Sequence, residues 1–462
     1  MNDDRQHLLA SENVNRLLWK LAFPAGVGMF VMALYNVVDT IFIGRAVGPL
    51  GIAALSIVFP VQMLVISLGG MVGIGGASII SRALGAKNLE RAESTLGNVI
   101  TSALVISIVV TSVILAKSGF WLNVLGATST ISPFASDYLT VVIWGAIFQV
   151  YAMSVNNTVR AEGNARVAML TMVIGALTNI GLDALFIMKF GMGVRGAAIA
   201  TVIGQACSCA YLTRYYLSGN STLKIHLENL KLKLDIIREV IALGMASFVR
   251  MIATSLIFVF LNRTVVTLGG DIYLAAIGIV IRVSSFAIMP LIAVAQGLQP
   301  VLGFSYGAKR YDRSIDVTNT SIKVATIISI VAFLVTFFFS RQLVSTFSND
   351  ATLIDIGSGV MKSIFLAWYL VGFQAVGSTV FQAIGKAIPA FLTAISRQVM
   401  FLLPLLIILP RFFKLDGIWM AFPIADGIAF AFTLGLFLPQ MRRFKEQRAL
   451  MEGSHAYDAA DA

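Results

Sequence analysis

Charge is scarce in this chain. Of its 462 residues only 12% are Asp, Glu, Lys or Arg, about half the share of a soluble domain, and 58% are hydrophobic. With a mean hydropathy of +0.86, a large soluble core is excluded and a multi-pass membrane protein is expected. Cysteine is nearly absent. Cys207 and Cys209 stand two residues apart in one apolar run, so they point to different sides of a helix, and small packing residues are expected rather than a disulfide. No Gly-Lys-Ser/Thr nucleotide loop is present, which excludes an ATP-driven pump within the chain. No cleavable signal peptide is expected, because the start is polar and the first apolar run is long.

What is present is a series of apolar runs, at 17–43, 50–80, 95–116, 132–155, 166–188, 194–217, 236–266, 272–304, 317–339, 354–382, 387–410 and 416–440. Each can cross a hydrocarbon core, which takes about 20 helical residues. The spacing predicts an all-α integral membrane protein with twelve transmembrane helices. Its parts are a polar N-terminal segment 1–16, six spans over 17–217, a linker 218–235, six spans over 236–440 and a tail 441–462. The N-terminal segment is expected to lie along the membrane surface or to be irregular, and the tail to be disordered. Lysine and arginine crowd onto one set of connections: Arg82, Lys87 and Arg91; Arg214, Lys224, Lys231 and Lys233; Lys309, Arg310 and Arg313; Arg442, Arg443 and Lys445. The opposite loops hold few, such as Arg45 and Lys117. Both termini are therefore expected in the cytoplasm. The net charge of +11 then reflects topology and needs no nucleic-acid partner. The Leu-Lys-Leu-Lys-Leu run of the linker suits either a segment on the inner leaflet or an ordinary basic connection.

The halves repeat. Gly85-Ala86-Lys87 recurs as Gly307-Ala308-Lys309, an offset of 222 residues (307 minus 85), which also relates Arg91 to Arg313 and Gly163 to Gly385. Six spans per half is even, so the halves share one orientation and are related by an axis along the membrane normal. Such halves usually work by alternating access.

Polar residues inside the spans mark the chemistry. Tyr35, Asn36 and Asp39 form a stripe on one face of the first span. An ionisable residue at that depth is a substrate or ion site by default. In the fifth span Asn179 and Asp183 are one turn apart, with Met172 two turns earlier on the same face; the sixth adds Thr201 and Gln205. Tyr138 and Asn156 come from the fourth. This oxygen-rich set suits a proton or a hard cation such as Na⁺ rather than zinc. It can also serve only to bond helices together. At the 222 offset Asp39, Asn179, Asp183 and Thr201 fall on Leu261, Phe401, Leu405 and Pro423, so the second half lacks the acids. Its own buried charges, Arg250, Arg282, Arg397 and Asp426, are expected to include an Arg–Asp pair. Pro24 kinks the first span and is either a hinge or a static bend.

These residues, namely Pro24 and Asp39, the run Val38-Asp39-Thr40-Ile41-Phe42-Ile43-Gly44, both Gly-Ala-Lys loops and Asn179-x-x-x-Asp183, resemble the multidrug and toxic compound extrusion (MATE) transporters over about 15–440, and their DinF-type branch in particular. The resemblance implies a V-shaped pair of six-helix bundles and a non-enzymatic, cation-coupled multidrug efflux antiporter of the bacterial inner membrane. It would export lipophilic, often cationic drugs in exchange for H⁺ or Na⁺, use no other cofactor and work as a monomer in the bilayer. The cation site it implies is Asp39, Asn179, Asp183 and Thr201; the substrate cleft would take Tyr35, Asn36, Tyr138, Asn156, Met172 and Gln205, with Pro24 as hinge. A flippase of lipid-linked saccharides and a channel or receptor are the competing readings. An acidic first half and twelve spans count against the flippase, and unmatched buried acids on kinked helices suit a carrier cycle better than a channel.

Overall fold

The computed structural model describes residue 9 and residues 12–458, with side chains to residue 452. All regular structure among them is helical. This is what an apolar solvent demands, since each backbone N–H and C=O must be bonded within its own segment. The helices are α1 (Val14–Ala46), α2 (Pro49–Gly85), α3 (Leu89–Ala116), α4 (Ser132–Trp144), α5 (Ala146–Ala161), α6 (Ala165–Asp183) and α7 (Gly193–Leu217). The long helix Leu234–Gly307 is broken at Gly270, whose φ is 75°, into α8 (234–269) and α9 (271–307). Then follow α10 (Tyr311–Phe338), α11 (Ala351–Phe365), α12 (Val371–Ala383) and α13 (Ala387–Ile395). The helix Leu403–Asp458 is broken at Lys414 into α14 (403–413) and α15 (415–458).

Among the described residues 10 helical runs are long and apolar enough to cross a membrane when the bent pair α4–α5 counts as one. The breaks at Gly270 and Lys414 divide two of those runs, which makes the twelve crossings expected. The fourth span is not straight, since α4 and α5 meet at 50° at Gly145. The tenth is interrupted by a 3₁₀ turn at Trp368–Leu370. Hydropathy cannot see such bends, because the residues on both sides are apolar. The tail is a correction: α15 continues to Asp458, and Phe444 is fully buried with its ring 6.0 Å from Tyr306 and 6.4 Å from Tyr311. Residues 459–462 lie outside the described part, as do 1–8, 10 and 11 of the N-terminal segment.

The chain forms two compact units. Of the described residues, one comprises residue 9 and 23–248; the other comprises 12–22 and 249–458. The start of α1 thus belongs to the second unit and the start of α8 to the first. Glycines explain why. Carbonyl oxygens of α8 and α2 approach so closely that a methyl group on Gly75 would collide with the Val240 carbonyl and one on Gly244 with the Met71 carbonyl. In the second unit, a methyl on Gly297 of α9 would lie 3.1 Å from Ala22 and 3.2 Å from the Leu18 carbonyl. Gly297 and Leu18 are the 222-offset counterparts of Gly75 and Val240, so the repeat is structural. Lys87 and Lys309 share a left-handed backbone, with φ of 57° and 56°.

The first unit has its core along α2, α4, α5 and α7, around Val58, Val65, Leu139, Ile143, Val150 and Ala197. The linker is a strap over α3. Asn98 Oδ1 accepts from the Lys233 N–H at 2.6 Å, Thr101 donates to the Leu230 carbonyl at 2.8 Å, and Ser94 donates to Asn229 Oδ1 at 3.0 Å. Leu227, Leu232 and Leu234 of the strap remain exposed.

Candidate functional site

Close packing of α6 on α7 sets up the site. Gly175 and Gly204 bring the two backbones together, as small residues do in membrane helix pairs. One turn further on, Asn179 of α6 faces Thr201 of α7. The Asn179 amide takes the orientation that satisfies its neighbours. Its nitrogen donates to Asp183 Oδ2 at 3.2 Å, and its oxygen accepts from Thr201 Oγ1 at 3.2 Å and the Thr201 N–H at 3.3 Å. Asp183 is the last residue of α6 before a π-helical turn, Ala184–Lys189, a device that re-aims side chains and recurs at functional sites.

Asp39 of α1 completes the group. It is 6% exposed and Asp183 0%, and the two carboxyl groups lie within hydrogen-bonding reach of each other. Asp39 Oδ1 and Asp183 Oδ1 are both buried without a hydrogen-bond partner. Neither acid forms an ion pair with a described residue. Two carboxylates 4 Å apart repel by about 4 kcal/mol at an effective dielectric of 20. Such repulsion falls when a positive charge lies between the two groups. A proton shared between the acids supplies it, and so does a hard cation that takes the two orphaned carboxylate oxygens with the Thr201 hydroxyl and the Asn179 carbonyl. No cluster of three His, Cys, Asp or Glu residues is present among the described residues, so the set does not suit a transition metal.

Tyr35 and Tyr138 lie close to both carboxyl groups. Tyr138 is buried, and its hydroxyl accepts a 3.2 Å hydrogen bond from Gln62 Nε2 of α2. Gln62 escapes sequence reading because it sits 76 residues from its partner in an otherwise ordinary span. Met172 packs its sulfur against α1 at Gly28, where a methyl group would stand 2.7 Å away. Asn36 is exposed and donates to the Met32 carbonyl of its own helix at 2.8 Å. Asn156 is buried and ties α5 to α6 by donating to the Ala168 carbonyl at 2.8 Å. Gln205 is half-buried, and its Oε1 has no partner. Pro24 lies inside a continuous α1; having no N–H, it leaves the Lys20 carbonyl without its helical donor.

The second unit has the Arg–Asp pair that its charges lead one to expect. Arg397 Nε donates to Asp426 Oδ1 at 2.5 Å and Nη2 to Oδ2 at 3.4 Å. The guanidinium stands 5.4 Å from the Trp368 ring centre, and Gln374 donates to the Asp426 carbonyl at 2.8 Å.

Among the described residues, twelve membrane-spanning helices in two related units, one of which holds a buried pair of acids with no ion-pair partner, define a polytopic membrane protein of the transporter type. The MatE family model matches residues 24–185 and 246–408, and the chain belongs to this family, the MATE transporters; it is a transporter and not an enzyme. The two matched segments begin 222 residues apart (246 minus 24), which is the offset of the repeat. Among relatives, the chain is 25% identical over 454 residues to the multidrug export protein MepA of Staphylococcus saprophyticus, covering 98% of this chain and 100% of that one. It is 24% identical, with the same coverage, to MepA of Staphylococcus aureus. Among solved structures, the MATE multidrug transporter DinF-BH is 42% identical, with a TM-score of 0.87 over 93% of this chain and 96% of that one. An outward-facing MATE family multidrug resistance transporter gives 0.89 at 25% identity over 95% and 98%.

Proposed function

We propose that the protein is a cation-coupled multidrug antiporter of the bacterial inner membrane, with both termini in the cytoplasm. The observation that carries the reading is the Asp39–Asp183 pair, which must be occupied by positive charge and has no counterpart in the second unit. The relatives named as multidrug exporters support the class of cargo: lipophilic, often cationic compounds. A proton, or Na⁺ in its place, and a cationic drug then compete for the same negative charge, and such mutual exclusion is what antiport requires. Asp39, Asp183, Asn179 and Thr201 hold the ion. Tyr35 and Tyr138 flank the carboxyl groups, and Gln62 holds the Tyr138 ring in place.

Neutralising Asp39 removes charge from α1, which is free to bend where Pro24 omits a backbone hydrogen bond. Gly28, one turn on, lets α1 keep its contact with Met172 through the bend. The test measures drug affinity of the purified protein across a range of pH, with and without Na⁺. Affinity that falls as protons are added supports proton antiport. Affinity that is flat in pH but falls with Na⁺ assigns coupling to sodium, and affinity indifferent to both sinks the antiport reading.

A further inference from the structure

Arg313 lies in the first turn of α10, at the end of the second unit that carries the Gly307-Ala308-Lys309 loop. It is 7% exposed, and its Nε and Nη2 are buried without a hydrogen-bond partner. These two N–H groups form the edge of the guanidinium that grips two oxygens of a carboxylate or phosphate at once. None of the nearby acids bonds to these two groups. Asp312 is 3.6 Å from Arg310, Glu12 pairs with Arg16 at 3.2 Å and Lys20 at 3.1 Å, and Asp316 is exposed.

The first unit shows what is missing. Arg91, the 222-offset counterpart of Arg313, pairs with Glu239 at 2.7 Å, and Arg82 holds the other oxygen of Glu239 at 2.8 Å. In the second unit the position of Glu239 is taken by Leu17, 0% exposed. The helix start differs in the same sense. Asn88 caps α3 by accepting from the Arg91 N–H at 2.9 Å; its counterpart, Arg310, makes no side-chain cap on α10. Ser305, where the first unit has Ala83, adds a buried hydroxyl without a partner. The second unit has thus kept the counterpart of Arg91, replaced Arg82 by Phe304 and the acid by Leu17, exchanged a neutral accepting cap for a cation and gained a donor. The lost acid, the changed cap and the added donor all favour an anion from outside the chain. The exposed Lys309 beside the loop favours more than one negative charge.

We infer that Arg313 and the uncapped start of α10 form a binding site for a phosphate group, carried by a phospholipid headgroup or by a soluble phosphate. The site is separate from the acid pair and does not depend on the coupling mechanism. The test follows thermal unfolding of the purified full-length protein in phospholipid-free dodecyl maltoside, with phosphatidylglycerol, diacylglycerol or inorganic phosphate added. A saturating rise of about 5 °C with phosphatidylglycerol but not diacylglycerol, lost in Arg313→Gln and in Arg313→Lys, assigns a lipid phosphate. The same rise with inorganic phosphate alone assigns a soluble one. Leu17→Glu guards against a variant that simply fails to fold. It supplies the protein's own acid, as Glu239 does for Arg91, so it should raise the midpoint without additive and abolish the response. No response in the wild type, or an equal one in Arg313→Gln, overturns the inference.

Discussion

The two units solve the problem of buried charge in opposite ways. In the second, Asp426 meets Arg397 at 2.5 Å, and the pair closes on itself. In the first, Asp39 and Asp183 face each other with no cation. The scaffold is shared down to the backbone of Lys87 and Lys309 and the helix contacts at Gly75 and Gly297. What differs is whether the protein supplies the counter-charge. A closed pair is a structural fixture, whereas an open one is where the proposed coupling ion would bind.

Four experiments probe this contrast. The largest effect is expected from Asp39→Asn and Asp183→Asn, each of which should reduce gradient-driven dye efflux from everted vesicles to background while the protein inserts normally. Retained efflux in either variant would place coupling elsewhere. Next comes Asp426→Asn, which strands the Arg397 guanidinium and should cost about 3–5 kcal/mol of stability while transport per folded molecule persists. Loss of transport at an unchanged melting temperature would mean that the second unit holds an ion site too. Third, Gly75→Ala should destabilise by about 1–3 kcal/mol through overpacking against Val240, and Gly297→Ala by less, since its added methyl meets Ala22 at 3.1 Å. Equal costs would show that the two contacts are not as different as their spacing. The smallest effect is expected from Glu239→Gln. Its partners Arg82 and Arg91 are partly exposed, so the loss should be under about 1 kcal/mol and should shrink further in high salt, as unfolding at two ionic strengths would reveal.

Much of this was legible in the sequence where one helix carries the whole signal. Asn179 and Asp183, four apart, could only share a face, and the fixed offset exposed the repeat before any coordinates. The sign of Arg397 and Asp426 foretold their pairing. Legibility failed for the hydrogen-bond partners of side chains with a choice: Asn36, on the Asp39 stripe, bonds to the Met32 carbonyl and Asn156 to the Ala168 carbonyl. It failed again for partners distant in sequence, such as Gln62 and Tyr138, or Arg91 and Glu239, which no local pattern connects. The helical tail was missed because its charged sequence has no apolar run, although Phe444 anchors it between two tyrosines.

The exchange of helix ends also dictates an order of assembly. Residues 14–22 leave the ribosome well before the surface they pack on, at Gly297 of α9, which is made 275 residues later (297 minus 22). At about 5–20 residues per second, the opening turns of α1 wait on the order of tens of seconds for their seat. The first unit, in turn, stays incomplete until α8 is begun. A gene cut at the linker would therefore yield two fragments, each holding a piece of the other's fold, and neither could finish folding until the two met in the same membrane.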